Sequence, residues 1–550
     1  MRTGARMLGR QVSHDLLGIA RTPVVLFFAL LFPLVFFVVL AALVGNETID
    51  FRSGVRTAQF LAPAFAAFGI AMSTFSYLSV GFAELRFTGV LKRLSGSPQP
   101  RWVLLGGRLG AGTVLALLSV IILVGAGVAF YDVQLYWSQV PAVVVIVVVA
   151  ALSFSALGLA VAALAPSAQA ATALANGIVI PLAFLSDLFV VAELPPFLDA
   201  FGWVFPLKHL VNALGDAFNP YVDGSAEYAT HLAVIAAWGL FGAALAAWGL
   251  RRDANRAESG ADTGPVPGDD RPRTGRAHDG APRRDGQPAA VALVADQYRH
   301  ANAVQWRDWS APLFGIAFPV LLVLLLPMLF AGGDSEARLE IAQTVAASMT
   351  IYGAAVIAYV NLPQGLAEAR EAGVLKRWAG TPLPTWVLLA GRALSALWLA
   401  LFVFVGAYAL AVAVFGVTVG SAWLSALVVL AVTVLSFSAL GMAVVSVVRG
   451  TQAALAVCLG SLIVLSFISD IFIFGVDFPP WLDVISWTFP LRHAVHAFSD
   501  AMAPEASGVV LDAGHLAVII AWGVLGVLVV LTRFNAEPRT RPTRTSARAQ

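Results

Sequence analysis

Long apolar runs almost free of charge recur along the chain, at about 24–45, 58–80, 103–130, 139–165, 169–190 and 231–250, and again at about 311–331, 341–362, 386–416, 421–447, 452–474 and 515–532. Each suits the roughly 20 apolar residues that a helix needs to cross about 30 Å of hydrocarbon. The pattern predicts an all-α polytopic membrane protein with twelve transmembrane helices, arranged as two parallel six-helix repeats. An even number of crossings returns each half to its starting side, so both halves share one orientation. The first run is too long for a signal-peptide core of about 7–15 residues, and its counterpart lies mid-chain, so it is predicted to stay as a span. Pro33 and Pro319, each after a phenylalanine, predict a kink in the first span of each half. Before each first span lies an amphipathic stretch. Leu8, Val12, Leu16 and Ile19 share one helical face, as do Val291, Val294, Tyr298 and Ala301, which suits a helix lying in the membrane interface.

The two sets of runs belong to a duplicated sequence. ELRFTGVLKRLSGSPQPRWVLLGGR at 84–108 and EAREAGVLKRWAGTPLPTWVLLAGR at 368–392 agree at 16 of 25 positions. The correspondence continues through SFSALG at 153–158 and 436–441, and through Ser186-Asp187 against Ser469-Asp470. It resumes in PPFLDAFGWVFPLKH at 195–209 against PPWLDVISWTFPLRH at 479–493, and in HLAVIAAWG at 231 against HLAVIIAWG at 515. The predicted organisation is a first half over 1–250, a linker over 251–290, a second half over 291–534 and a basic tail over 535–550. The linker is rich in Arg, Asp, Gly and Pro with almost nothing to bury, which predicts a disordered tether between independently folding halves.

Composition narrows the class further. Apolar residues make up 59% of the chain and charged ones 12%, with mean hydropathy +0.82, values that exclude an ordinary soluble protein. A lone cysteine, Cys458, excludes an internal disulfide and a cysteine metal cluster. Of 34 basic residues only Lys92, Lys208 and Lys376 are lysine; with the abundance of Ala and Val this suggests a high-GC bacterial gene. If the N-terminus is cytoplasmic, 29 basic residues fall on the inside and 5 outside. The positive-inside rule therefore predicts that both termini and the linker are cytoplasmic, in a bacterial plasma membrane.

The segment between the second and third runs keeps Glu84 and Glu368, Arg86 and Arg370, the string GVLKR, and the pairs Pro98/Pro100 and Pro382/Pro384 in both copies. Two apolar residues beside two cations on a short helix, followed by prolines that enforce extended chain, make a knob suited to docking a partner. Charge anchoring with a turn is the plainer alternative, but it requires no matched Glu, Gly and Pro. An acid and arginine ending span two, then GVLKR, a Gly-x-Pro turn and WVLLxGR opening span three, resemble the cytoplasmic loop of type-2 ABC transporter permeases. The six-span halves, the interfacial helix and the Pro-Pro and Phe-Pro segment before span six are similar to that family too. The resemblance covers nearly all of both halves; the fusion of two halves in one chain departs from the many members that are separate half-size subunits. It implies that Glu84, Arg86, Lys92, Arg93, Glu368, Arg370, Lys376 and Arg377 couple the membrane domain to a separate ATP-hydrolysing subunit. It also implies that the outer segment caps the substrate exit, with Asp187, Lys208, Asp470 and Arg492 at an outer gate.

No phosphate-binding loop G-x-x-x-x-G-K-[ST] occurs, so ATP and Mg are expected on the partner, most simply two copies of it, with no cofactor on this chain and no nucleic acid partner. The glycine cluster GGRLGAG at 106–112 is better read as close helix packing. Outer acids and histidines (Asp187, Glu193, Asp199, Lys208, His209 and Asp216; Asp470, Asp477, Asp483, Arg492, His493 and Asp500) suit mutual ion pairing rather than catalysis. His493 and His496 have helical ligand spacing, but the first copy has Asn212 in the matching place, so no metal site and no catalytic residue is expected. Phe68 and Phe75, matched by Tyr352 and Tyr359, each form a pair on one helical face; interhelical packing is the plainer reading and a wall of the substrate path the sharper one. The resulting reading is the permease of an ATP-driven ABC exporter for an amphipathic or hydrophobic drug, antibiotic or lipid. A proton-driven twelve-span secondary drug transporter is the alternative, against which stands the near absence of charge at the span centres. A membrane-embedded enzyme lacks any convergent acid, base or ligand set.

Overall fold

The computed structural model describes residues 2–44, 56–95, 100–188, 196–219, 225–258, 290–307, 313–331, 334–381, 383–448, 450–472 and 478–534. Regular structure among these is helical throughout, and the two halves repeat one order. An interfacial helix (Arg2–Ala20; Ala290–Arg307) leads to a first span that begins with a π turn (Phe27–Leu31; Leu313–Ala317) and continues as α-helix (Phe32–Val44; Phe318–Phe330). The second span (Thr57–Phe87; Ser335–Glu371) is followed by a short helix (Val90–Ser95; Val374–Ala379). Then come the third (Arg101–Tyr131; Thr385–Phe415), fourth (Val140–Leu164; Trp423–Val447) and fifth (Ala168–Leu185; Thr451–Phe467) spans. Two short outer helices (Pro196–Gly202 and Pro206–Ala217; Pro480–Thr488 and Pro490–Met502) precede the sixth span (Ser225–Glu258; Ala513–Arg533). All four outer helices start on a proline, whose fixed φ and missing N–H suit a first helical turn.

Among the described residues eight helices are long and apolar enough to cross a membrane; the first and fifth spans of each half supply four shorter apolar helices, Phe27–Ala42, Ala170–Leu185, Gly315–Met328 and Thr451–Phe467. The all-α polytopic class therefore holds, with these four shorter than the predicted runs. The π turns lie just before Pro33 and Pro319, where the missing proline N–H interrupts the helical ladder. The sixth-span helix of the first half continues to Glu258, beyond the predicted boundary at 250. Most of the predicted linker, 259–289, and the basic tail lie outside the described residues.

Small residues explain why SFSALG recurs. Its serine and glycine face opposite neighbours, and a β-carbon on Gly158 would come within 2.5 Å of Phe75 O in span two. On Gly441 it would lie 3.0 Å from Tyr359 O. On the other side, Gly239 and Gly523 of span six approach the backbone at Ser153 and Ser436 so closely that a β-carbon would lie 2.8 and 3.0 Å from their Cα atoms. In lipid, where hydrophobicity gives helices no reason to associate, such backbone proximity is what holds them. The glycine cluster acts likewise: β-carbons on Gly106 and Gly110 would meet Leu8 and Val12 at 3.0 and 2.8 Å. Val291, predicted on the inward face of the second interfacial helix, is 80% exposed, whereas Val294 and Tyr298 are half-buried.

The halves share their cores. Ile463 and Phe467 of the second half pack into the first, with the Phe467 ring 3.9 Å from that of Phe36, while Phe184, Leu185 and Leu198 pack into the second. Fifth spans thus cross the seam in both directions, and the halves pack against each other.

Candidate functional site

Span two runs past its apolar core to Phe87 and Glu371, so Glu84, Arg86, Glu368 and Arg370 stand on its last turns rather than in a loop. The helix ends at Gly89 and Gly373, with φ of +71° and +69°. That left-handed conformation is strained for a side chain carrying a β-carbon, which accounts for the invariant glycine of the two GVLKR strings. The chain then re-enters helix over Val90–Ser95 and Val374–Ala379, and Pro100 and Pro384 stand in extended conformation immediately before span three.

The coupling residues fall into two groups. Arg93, Lys376 and Arg377 are exposed on the short helices, as is Glu84 on span two; the Lys92 side chain lies outside the described residues. Arg86 and Arg370 point inward. Arg370 is only 2% exposed and donates from Nη1 to Val445 O at 2.6 Å and from Nη2 to Val448 O at 3.1 Å. Arg86 donates to Ala162 O and Ala165 O at 3.1 and 2.9 Å. Both arginines therefore bind the last carbonyls of span four, the negative end of its dipole, which have no partner within the helix. Glu368 accepts a hydrogen bond from Gln364 at 3.0 Å, and Glu371 accepts one from the Thr451 N–H at 2.8 Å, capping span five. In the second half the Trp378 ring also lies 5.5 Å from His300 of the interfacial helix.

At the opposite end, each fifth span stops in a Ser-Asp turn whose aspartate, Asp187 or Asp470, has φ +57°. Lys208 is 1% exposed. Its Nζ lies 3.1 Å from Asp187 Oδ2 and contacts Asp199, and the ammonium sits 5.3 Å from the Trp203 ring centre. Burial raises the Asp187 carboxyl above its ordinary value, against the opposing pull of Lys208. In the second half Arg492 donates from Nε to Asp470 Oδ2 at 2.8 Å and contacts Asp483 and Ser486 through Nη1. Its guanidinium stands 4.4 Å from the Trp487 ring centre, and His496 Nε2 adds a contact to Asp470 at 2.9 Å. The four residues expected at an outer gate thus fall into two equivalent ion clusters, each a buried cation among partly exposed acids.

Beside each cluster two histidines meet through Nδ1, His209 with His231 at 2.9 Å and His493 with His515 at 2.8 Å. Nε2 of His209 and His493 lies 2.9 and 2.8 Å from the carbonyl of Trp203 and Trp487. A carbonyl can only accept, so Nε2 carries a proton; in the neutral pair His231 and His515 then donate through Nδ1. Burial lowers the pKa of His209 and His493. These pairs join the outer helix to span six. His231 and His515 open the repeated HLAVI strings, so their recurrence was visible in sequence although their partners were not. His496 joins the ion cluster rather than a metal site, and among the described residues no group of three His, Cys, Asp or Glu side chains could hold a metal.

Phe68, Phe75 and Tyr352 are buried. Phe68 packs against Phe32 with ring centres 5.7 Å apart, and Tyr352 against Phe472 at 5.0 Å. Tyr359 is half-buried and its hydroxyl meets Ser461 Oγ at 3.0 Å. The sequence pattern also left unseen the π turns Met72–Ser76 and Val356–Asn361 in span two, which expose backbone carbonyls to the span-four glycines.

Two segments, 12–218 and 298–503, match the model of the ABC-2 type transporter family. A search among curated proteins returns no match.

Proposed function

Because the chain belongs to the ABC-2 type transporter family, we propose that it is the permease of an ATP-driven exporter, docked through its two short basic helices to two copies of a separate ATP-binding subunit that holds ATP and Mg. The chain is a multi-pass membrane component of transport and not itself the catalyst. The observation that carries the proposal is the division of labour in the repeated segment. Arg93, Lys376 and Arg377 are exposed, while Arg86 and Arg370 fasten the same segment to span four. A force applied to the short helix is thereby delivered to spans two and four together. ATP binding and release on the partner would rock the halves and alternate access to a path between them. The cargo is an amphipathic or hydrophobic drug, antibiotic or lipid-like molecule, carried outward across a bacterial plasma membrane with both termini cytoplasmic.

Charge reversal of Lys92 and Arg93 together, or of Lys376 and Arg377, tests this. Like charges set against each other cost several kcal/mol at an interface, so the variants should insert and fold yet lose co-purification with a co-expressed ABC ATPase subunit, and lose the ATP hydrolysis that the permease stimulates. Normal assembly and hydrolysis in both variants would reduce the loops to anchors. Orientation is tested separately by a cysteine placed in 259–289, since Cys458 is buried and leaves a quiet background. Labelling from outside would reverse the topology.

A further inference from the structure

The interfacial helices share a scaffold but differ in charge. Gln11 and Gln297 both press on a span-three glycine, Gly107 and Gly391, and His14 and His300 hold equivalent positions. On the first helix the inward stripe is Leu8, Gln11, Val12, Asp15 and Ile19. Its outward stripe is Arg6, Gly9, Arg10, Ser13, His14 and Leu17, which line a shallow groove. Gly9 forms an open floor, with nothing within 4 Å of where a β-carbon would stand, and the Ser13 hydroxyl is turned back onto Gly9 O. Arg6 and Arg10 are exposed on the rim, and among the described residues neither has an ion-pair partner. The carboxylate of Asp15 belongs to the inward face, where it accepts from Gln11 and stands 3.7 Å from His14. Met7 and Leu17 add exposed apolar surface.

On the second helix this chemistry is missing. Ala292 stands in place of Arg6 and Asp296 in place of Arg10, and Asp296 lies 3.4 Å from Arg299. Among the described residues the positive groove therefore stands on the first of the two equivalent helices and not on the second.

We infer that the outward groove of the first interfacial helix is a binding site for an anionic phospholipid, its phosphate between Arg6 and Arg10 over Gly9, and that the second half has no equivalent. Charge complementarity decides the occupant. Two unpaired guanidiniums at the level where an interfacial helix meets headgroups attract an acidic lipid and not a zwitterionic one. Guanidinium also offers the paired donors that fit phosphate oxygens. Exposed Leu17 and Met7 suit contact with the acyl region.

The test uses the purified full chain in detergent, titrated with phosphatidylglycerol or phosphatidylcholine and read by native mass spectrometry. Replacing both arginines (Arg6→Gln with Arg10→Gln) should weaken phosphatidylglycerol retention about thirty-fold and leave phosphatidylcholine retention unchanged. Arg6→Lys with Arg10→Lys, which keeps the charge, should stay within a few-fold of the parent. Building the groove into the second half (Ala292→Arg with Asp296→Arg) should add one retained phosphatidylglycerol. Undiminished retention in the glutamine variant overturns the site, whether or not a protein partner is lost instead. Should that variant fail to fold, the grafted variant decides, and no added lipid there overturns the proposal.

Discussion

At the end of the first half opposite the short basic helix, a buried lysine stands between two carboxylates; in the second half an arginine occupies the same place. The difference extends to the neighbours. Ser486, which Arg492 contacts, replaces Gly202, where a β-carbon would come within 3.1 Å of the Lys208 side chain. Asp470 receives His496 as well as Arg492, whereas the matching Asn212 turns away to donate to the Lys208 carbonyl at 2.8 Å. A compact ammonium needs only the acids around it, but a guanidinium has five N–H groups to place. The duplicated fold thus tolerates different cations only because the surrounding shell changed with them.

Breaking either cluster should have the largest effect. Lys208→Met or Arg492→Met leaves two acids without the buried cation between them; Asp199 and Asp483 are 45% and 42% exposed, so water screens part of the loss, and the cost of about 3–5 kcal/mol for a fully buried pair is its upper limit. Thermal or denaturant unfolding of the purified permease should show this in both halves. The exchanges Lys208→Arg and Arg492→Lys should each be destabilising though charge is kept, the first because Gly202 offers no hydroxyl for the extra N–H groups and the second by leaving Ser486 and one acid without their donor. Neutral exchanges would mean that the neighbouring differences carry no energy.

The arginines that brace span four give the next effect. Arg370→Leu strips the end of span four of two charge-assisted hydrogen bonds; at about 1.5 kcal/mol each, the lower end for bonds to a charged group, a loss of about 3 kcal/mol in unfolding free energy is expected. Arg86→Leu should cost less, because Arg86 is half-buried and water can replace it. Equal losses would show that burial does not separate the halves here.

A smaller difference should appear with pH. Since His209 and His493 have lowered pKa values in the folded protein, the unfolded chain takes up protons first as the medium becomes acid. Their stabilising contribution is complete above the ordinary histidine value of 6.5 and is lost as pH falls below it. Second protonation of a pair also sets two N–H groups against each other across its Nδ1 contact. Around His209 the facing groups are His231, with Asp216 3.9 Å from the latter, and the adjoining Lys208, Asp187 and Asp199. Around His493 the corresponding groups are His515, His496, Arg492, Asp470, Asp483 and the Asp512 cap. Because His496 and Arg492 further disfavour charge on His493, His493→Asn should flatten the acid limb of the unfolding curve more than His209→Asn. The opposite order would contradict the assigned neighbours.

Much of this was legible in sequence wherever chemistry recurs at matched positions. The helical class, the duplication and the acid-rich outer segment follow from apolar runs and repeated strings, and the glycine cluster was correctly read as packing. Arg86 and Arg370 were harder, because their repetition looks the same whether they face a partner or brace span four; only burial separates the two. The His209–His231 and His493–His515 pairs span 22 residues of intervening chain, beyond any local periodicity. Shared cores escaped notice because a linker's composition describes the linker and not the surfaces of the halves it joins.

The smallest expected effect concerns one of the polar differences inside span two. Tyr359 meets Ser461, where the first half has Phe75 and Ile178. The Ser461 hydroxyl already donates to Val457 O at 2.6 Å, so the tyrosine is the donor and the serine oxygen its acceptor. Tyr359→Phe removes that donor but leaves the serine bonded to its own helix, so no buried group is stranded and the cost should be about 1 kcal/mol. Ser461→Ala should cost a similar amount, and the double variant little more, since each deletion removes the same bond. If the aromatic positions only pack, as burial of Phe68, Phe75 and Tyr352 supports, Tyr359→Phe should leave substrate preference and stimulated ATP hydrolysis as they were. A changed preference with unchanged stability would instead make Tyr359 a wall of the path, and the second half the one that selects the cargo.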